Sequence, residues 1–309
     1  MPTEQETAER FAPMMNLHPD EEYMPMDAAD FVRGSRLWLA RADETVSVYD
    51  VDAGAWATNP GPDDHFGLGV ELLARWDALH GPDDGSWSRR PHDEGRASDG
   101  NQYALEHHSK RPAVRFDPDR PPPCYYYVQP WKDSTLVSYW FFYGYSEFLA
   151  FIAHQGDWEH VTLRIRGGEV VSGFYAVHED TYYVEARDLE WRDGRLQVYS
   201  AKGRHATWWK EGHHMVGLSF LQKKEKIENL EMAAEAFLED ETAAGQAWDL
   251  RRSLQPLGEQ PWRLFAGAWG RVGDAAHTTG PLGPWFKRRL DPRKEVILES
   301  VSGASRVRR

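Results

Sequence analysis

The stretch His154-Gln155-Gly156-Asp157-Trp158-Glu159-His160-Val161-Thr162-Leu163-Arg164-Ile165-Arg166 decides the fold class, because its second half alternates between apolar and polar residues. Val161, Leu163 and Ile165 share one face of an extended chain, and the polar residues between them share the other. Alternation with a period of two is typical of a half-buried β-strand. The stretch therefore predicts a strand, over 158–166, whose apolar face meets a core.

Segments of the same texture lie on both sides of this strand. Further short runs rich in β-branched and aromatic residues predict strands at 125–128, 136–143, 170–177, 182–186 and 196–200, with two earlier ones at 36–39 and 45–49. Turn signals such as Gly167-Gly168 and Asp193-Gly194 separate several of them. This spacing is typical of an all-β architecture. We therefore expect a mostly-β chain, an antiparallel β-sandwich with peripheral helices and long loops.

Helical periodicity is confined to two places in the chain. Apolar residues recur at helical spacing over 66–79, which predicts a short helix, and over 221–239, which predicts a peripheral helix. Residues 81–123 are rich in Gly, Pro and Asp and predict a long loop region, and 261–286 predict loops that wrap the sheet. No linker interrupts the pattern, so we expect a single domain over 1–309.

Composition narrows the function classes. The 309 residues contain 36 Lys and Arg against 49 Asp and Glu, for a net charge of −13. Nucleic-acid binding needs clustered cations, so this balance predicts no nucleic-acid partner. The sequence contains no apolar run of the roughly 18 residues that a transmembrane segment needs. The first residues do not follow the secretory-signal pattern, and the single cysteine, Cys124, excludes an intramolecular disulfide, so we expect a cytoplasmic protein.

Two carboxylates precede the alternating residues. Extending the strand's parity backward places Asp157 and Glu159 on the apolar face, aimed toward the core. Ionised carboxylates are costly to bury and must be neutralised by an arginine pair, a shared proton or a bound cation. His154 stands three residues before Asp157 and would complete a metal site of one histidine and two carboxylates. From the spacing alone, this metal site and a metal-free alternative are equally supported. In the alternative, Asp157 and Glu159 form salt bridges to structural arginines and His154 caps a turn.

Two other histidines lie at predicted strand ends. His178 follows the strand over 170–177, and His205 lies just beyond the strand over 196–200. Either one is a candidate general acid or base if the protein is an enzyme. The sequence contains no phosphate-binding loop, zinc-protease helix or nucleophile elbow.

Several separated motifs resemble the vacuolar-protein-sorting sixty-two family. These are Phe11-Ala12-Pro13, the segment 17–25, the stretch 154–161, Tyr199-Ser200-Ala201-Lys202-Gly203-Arg204-His205-Ala206, and the closing segments 262–265, 267–270 and 280–284. They occur in the family's order and extend over most of the chain. The resemblance implies a sorting-associated protein and does not itself define a reaction.

The stretch 154–161 is also distantly similar to the heptapeptide of necrosis- and ethylene-inducing-like proteins. Those proteins are compact β-sandwiches that hold a divalent cation at one end and bind sphingolipid headgroups. The resemblance implies metal ligation by His154, Asp157 and Glu159. The family's further upstream aspartate has no clear counterpart, and Glu147 or Ser146 lies nearest. Glu147, a candidate fourth ligand, or else His178 or His205 would close the metal site. Mg²⁺, Ca²⁺ or Mn²⁺ suits these oxygen donors better than zinc or iron.

Three hypotheses follow. In the first, an open divalent-metal site engages an oxygen-rich ligand, such as a carbohydrate, a polyol or a phosphorylated lipid headgroup. In the second, the protein is a cytosolic metal-dependent enzyme, a hydrolase or a biosynthetic enzyme, with His178 or His205 as its general acid or base. In the third, the strand mouth, meaning Asp157 and Glu159 at the start of the strand, is salt-bridged and free of metal. The protein is then a structural or interaction protein. The family resemblance favours the first.

Overall fold

A computed structural model describes residues 2–41, 46–58, 60–76, 79, 102–149, 152–178, 180–215, 239–273, 278–286, 297–301 and 304–308. Three α-helices lie within these residues: α1 (Glu4–Phe11), α2 (Ala28–Arg33) and α3 (Val70–Ala74). Helix α1 begins with a capping box, in which the Thr3 hydroxyl accepts from the Glu6 amide and the Glu6 carboxylate accepts from the Thr3 amide. No helix in the described part of the chain has the length and apolar character of a membrane span.

The strands of the first half are β1 (Met14–Leu17), β2 (Ser35–Ala40), β3 (Val46–Asp50), β4 (Ala55–Thr58), β5 (Gln102–His107), β6 (Cys124–Trp131), β7 (Ser134–Leu149) and β8 (Ile152–Arg166). The strands of the second half are β9 (Glu169–Val177), β10 (Asp180–Glu185), β11 (Trp191–Arg192), β12 (Arg195–Ser200), β13 (Thr207–Trp208), β14 (Gly212–Met215), β15 (Glu239–Thr242), β16 (Gln246–Asp249), β17 (Leu254–Pro256), β18 (Ala268–Trp269), β19 (Ile297–Val301) and β20 (Ala304–Arg308). The expected mostly-β chain is confirmed, and each predicted strand overlaps an observed one.

The largest sheet has eight strands in the order β17-β6-β7-β8-β9-β10-β20-β19. Its centre is the long antiparallel pair β7–β8, in which Tyr143 lies opposite Asp157 and Val137 opposite Leu163. Two five-stranded sheets accompany it, one containing β1, β11, β12, β13 and β16, and the other ordered β18-β5-β2-β3-β4. A two-stranded sheet pairs β14 with β15. The sheets are mixed, because β1–β12, β6–β17 and β5–β18 run parallel.

Two hydrophobic cores lie on opposite faces of the eight-stranded sheet. The first core packs side chains of β7, β8 and β9 against those of β1, β12 and β16; its members include Met15, Val137, Tyr139, Leu163, Tyr175, Val198 and Trp248. The second core joins the other face to β2 and β5; its members include Leu37, Leu105, Trp140, Phe142, Trp158, Trp262 and Trp269. Because β7 and β8 contribute alternate residues to both cores, the central pair is buried on both faces.

The structure differs from the sequence predictions in the middle of the chain. Residues 102–107 lie in the predicted loop region 81–123, yet they form β5, whose Tyr103 and Leu105 pack into the second core. Pairing with β2 along six residues stabilises this strand, which local composition did not reveal. Of the helix predicted over 66–79, the described residues show α3 at Val70–Ala74, and residues 77–78 lie outside the described part of the chain. The helix predicted over 221–239 lies outside the described residues except for Glu239, which begins β15.

Strand β8 meets the second core through a close backbone approach at Gly156. This residue has a φ of 67°, and a Cβ there would overlap the carbonyl oxygen of Trp269. Gly270 is the reciprocal contact, because a Cβ on it would overlap the carbonyl oxygen of Gln155. The strand mouth that carries Asp157 is thus fixed by two glycines that let the backbones touch.

We expect Gly156→Ala to destabilise the protein by about 3 kcal/mol or more, because left-handed backbone strain adds to a clash with main-chain atoms. Gly167→Ala is the matched control: its φ is 62°, but no described atom lies within 4 Å of the position that a Cβ would take there. The control should lose only about 1–2 kcal/mol, the cost of the backbone conformation. Urea unfolding followed by fluorescence measures both, and equal losses would contradict the close approach.

Candidate functional site

The site is built on the first residues of β8 that face the first core. Asp157 and Glu159 are 5% and 3% exposed, and they lie opposite Tyr143 and Phe141 in the β7–β8 ladder. Directly opposed residues share a sheet face, and Tyr143 and Phe141 belong to the first core. The parity predicted from the sequence is therefore confirmed, and both carboxylates are buried on the core side.

His205 lies between two buried carboxylates. Its Nδ1 is 3.1 Å from Oδ2 of Asp157, and its Nε2 is 3.6 Å from Oε1 of Glu21. The imidazole has no exposed surface and stacks on the ring of Tyr143, with centroids 3.9 Å apart and planes 6° from parallel. One histidine thus bridges β8 to the segment that follows β1.

Electrostatics favour the charged form of this histidine. Burial alone lowers the pKa of His205, but the charge of Glu21 and the charge and hydrogen bond of Asp157 outweigh it and raise the pKa to about 9. Burial likewise raises the pKa of Glu21, yet His205 and the amides of Gly203 and Tyr23 bring it below the usual value. Those amides donate to Glu21 at 2.6 Å and 2.8 Å. The raised pKa favours the protonated form of His205 at neutral pH.

A tight loop over 201–206 presents His205. The Ala201 amide donates to the Ala206 carbonyl, and the His205 amide donates to the Ala201 carbonyl, which closes the loop on itself. His205 and Gly203 both have positive φ, 60° and 69°. A Cβ at Gly203 would lie 2.6 Å from the carbonyl oxygen of Glu147, so glycine permits the contact in which the Glu147 amide donates to the Gly203 carbonyl.

Glu147 lies beside the site, with both carboxylate oxygens engaged. Oε2 accepts from the Tyr23 hydroxyl at 2.9 Å, and Oε1 accepts from Arg111 at 2.8 Å. Burial and the Glu147 carboxylate raise the pKa of Tyr23 to about 12. The candidate fourth metal ligand is therefore part of a polar surface cluster with an arginine and a tyrosine.

His154 and His178 occupy different surroundings. His154 is half-buried, and its Nδ1 lies 2.8 Å from the carbonyl oxygen of Gly156, two residues further along β8. His178 is partly exposed, and its Nε2 lies 3.1 Å from Asp240 on β15. Asp240 also accepts from Arg204 and from the Trp208 indole. The structure thus places His178 at a second buried carboxylate and His205 at the first.

The predicted metal set fits the structure only in part. Asp157 and Glu159 share one buried face, as a metal pair requires, but Oδ2 of Asp157 faces His205. Among the residues with described positions, no three His, Cys, Asp or Glu side chains are grouped so that they could hold a metal ion. Metal ligation by His154, Asp157, Glu159 and Glu147 stays a prediction.

Sequence reasoning missed two acidic partners of the candidate catalytic histidines, Glu21 beside His205 and Asp240 beside His178. Glu21 lies far before His205 on the chain, and Asp240 lies 62 positions after His178. Both acids occur in runs of charged residues, Asp20-Glu21-Glu22 and Glu239-Asp240-Glu241, whose composition is typical of solvated surface. Only the apolar neighbours Leu17 and Tyr23 signalled that the first run is anchored to a core.

Comparison with known proteins agrees with the motif resemblance. The sequence model of the family described as vacuolar protein sorting-associated protein 62 matches residues 147–270, which include Asp157 and His205. Vacuolar protein sorting-associated protein 62 of Saccharomyces cerevisiae is 24% identical over 341 residues, a match that spans 89% of this chain and 64% of the yeast protein. The predicted similarity to this family is confirmed, and the chain spans slightly less than two thirds of that relative's length.

A solved structure, that of necrosis and ethylene inducing protein 2 from the causal agent of cocoa's witches' broom disease, aligns with this chain. It is 11% identical, and the alignment covers 66% of this chain and 67% of the other with a TM-score of 0.33. At this TM-score, the alignment supports no inference about the site.

The raised pKa of His205 predicts a specific loss of stability at alkaline pH. Since the folded-state pKa of about 9 exceeds the ordinary value of 6.5, the stabilisation is fully present below about pH 6.5 and is lost as the pH rises through about 9. The difference corresponds to about 3 kcal/mol. We expect the unfolding free energy of wild type to fall relative to that of His205→Gln between pH 6.5 and pH 9.

Urea unfolding at half-unit pH steps measures this difference. Glu21→Gln removes one of the two carboxylates, and it should move the fall to lower pH rather than abolish it. A constant gap between wild type and His205→Gln over the whole window would contradict a buried imidazolium.

Proposed function

We propose that this chain is a non-catalytic binding protein. Its recognition surface is the polar rim beside the buried His205, which is formed by Arg111, Tyr145, Glu147 and Lys202. One observation carries the choice of binding over catalysis: His205, the candidate acid or base nearest the carboxylates of β8, has no exposed surface and is covered by Tyr143. A general acid or base must come within hydrogen-bond reach of its substrate. The name of the yeast relative, a sorting-associated protein, is in keeping with binding.

The rim supplies cations for an oxygen-rich ligand. Arg111 is about half exposed, lies over the ring of Tyr145 at 5.6 Å, and donates to Glu147. Glu147 in turn bonds the loop that carries Lys202, whose side chain is 45% exposed. Guanidinium and ammonium groups recognise phosphate oxygens, and the aromatic ring adds a flat surface. Of the predicted ligands, a phosphorylated headgroup fits this rim better than a neutral carbohydrate or polyol.

We expect a soluble inositol phosphate to raise the melting temperature of wild type, and Arg111→Gln to weaken binding about tenfold, since a charged hydrogen bond is worth roughly 1.5–3 kcal/mol. Lys110→Gln is the matched control, because it removes the same charge from the neighbouring exposed position. Titration calorimetry with the inositol phosphate, and with mannose as neutral comparison, measures both variants. Equal weakening in both would show only a diffuse charge effect and would overturn the rim as the site.

A second candidate is a divalent cation held by Asp157 and Glu159, with His154 and Glu147 as further donors. The observation in its favour is the burial of two carboxylates, two positions apart, on one face of β8. A cation bound there would supply open coordination positions to ligand oxygens. Elemental analysis and melting with and without chelator test it: metal that is lost in Asp157→Asn but kept in Glu169→Gln, an exposed carboxylate on the next strand, would establish the site.

Catalysis is tested with the same purified protein. Incubation with phosphate esters and glycosides should leave the substrates unchanged over hours if the protein only binds. Time-dependent product that disappears in His178→Ala, the partly exposed histidine, would overturn the non-catalytic proposal. The predicted cytoplasmic location and the absence of a nucleic-acid partner belong to the same proposal, and cell fractionation tests the first.

A further inference from the structure

Two consecutive side chains of the loop 201–206 bind acids on different sheets. His205 bonds Asp157 of β8, in the eight-stranded sheet. Arg204 bonds Asp240 of β15, in the two-stranded sheet. The side chain of Asp240 has no exposed surface. The acid of this second ion pair is therefore buried, as Asp157 is in the first.

The loop also fastens β15 through its backbone. The Lys202 amide donates to the Glu241 carbonyl at 3.0 Å, and the Arg204 guanidinium donates to the Glu239 carbonyl at 2.8 Å. The residues before, at and after Asp240 are therefore all bonded to the same short loop. The loop is thus one of the anchors of β15, beside His178 and Trp208, which also bond Asp240.

The shape is one that the backbone adopts only under constraint. His205 has a φ of 60°, a left-handed conformation that is unfavourable for a residue with a Cβ. Such conformations persist where surrounding contacts over-determine them. Here the constraint comes from both ends: Asp157 and Glu21 hold the His205 ring, and Asp240 holds the adjacent Arg204. The two sets of contacts therefore act on the same short, strained loop.

We propose that the loop 201–206 is a relay that couples the strand mouth to the antiparallel pair β14–β15, so that displacement of His205 from Asp157 loosens the hold on β15. The relay follows from the contacts of the loop and does not depend on the binding function proposed above. Any ligand that competes for the Asp157 carboxylate would loosen the pair β14–β15 through it. Binding at the strand mouth would in this way change the conformation of β15.

Hydrogen exchange of the full chain, followed by mass spectrometry under native conditions, tests the relay. Asp157→Asn should speed exchange in peptides covering 239–242 about tenfold, within the range of measured couplings. Exchange in peptides covering Ser35–Ala40, which form β2 in the sheet β18-β5-β2-β3-β4, should be unchanged and serves as the internal reference. Asp133→Asn is the matched control, because Asp133 also pairs with cations, Arg164 and Arg166, at the far end of the same strand pair.

Coupling is reciprocal, which gives a second readout. Asp240→Asn should speed exchange in the segment 18–25, where the Tyr23 amide donates to Glu21. If Asp157→Asn does not fold, Glu21→Gln removes the other carboxylate from His205 and makes the same test. The proposal is overturned if exchange in 239–242 rises no more in the strand-mouth variant than in Asp133→Asn.

Discussion

Carboxylates buried on the core face of a sheet stay ionised only when positive charge is buried with them, and in this protein His205 provides that charge. The imidazolium bonds Asp157 on one side and faces Glu21 on the other, and Tyr143 covers its ring. Each nitrogen faces a different segment of the chain. The ion pairs therefore fix the distance between β8 and the residues after β1, which is a positional role more than a source of net stability.

This constraint explains why distant parts of the sequence meet at one end of the molecule. The loop 201–206 receives bonds from Glu21, Glu147, Asp157 and the strand β15. Each bond closes a long stretch of chain, and none of them belongs to a ladder of the eight-stranded sheet. Side-chain and loop contacts thus complete what the β1–β12 pairing begins, in which Leu17 lies beside Ser200.

The sequence was informative wherever a local period determines structure. Alternation predicted β8 and the burial of Asp157 and Glu159, because a strand exposes successive side chains to opposite faces whatever it pairs with. Runs rich in β-branched and aromatic residues likewise marked β6, β7, β9 and β12. It did not reveal β5, whose register is set by β2, a strand that lies far earlier on the chain. Nor did it reveal the left-handed backbone at His205, which depends on partners that are distant in sequence.

The same geometry shows how a histidine and a metal differ as solutions to one problem. A metal ion draws its oxygen donors to a single centre at about 2.0–2.6 Å. An imidazolium keeps its two acceptors apart, because its N–H groups lie on opposite sides of the ring. Oδ2 of Asp157 already faces the imidazole, so a cation at that oxygen would meet a positively charged ring. A cation at Asp157 and Glu159 would therefore disfavour the protonated form of His205. If the proposed cation binds, occupation of the strand mouth and the hydrogen bond of His205 are linked.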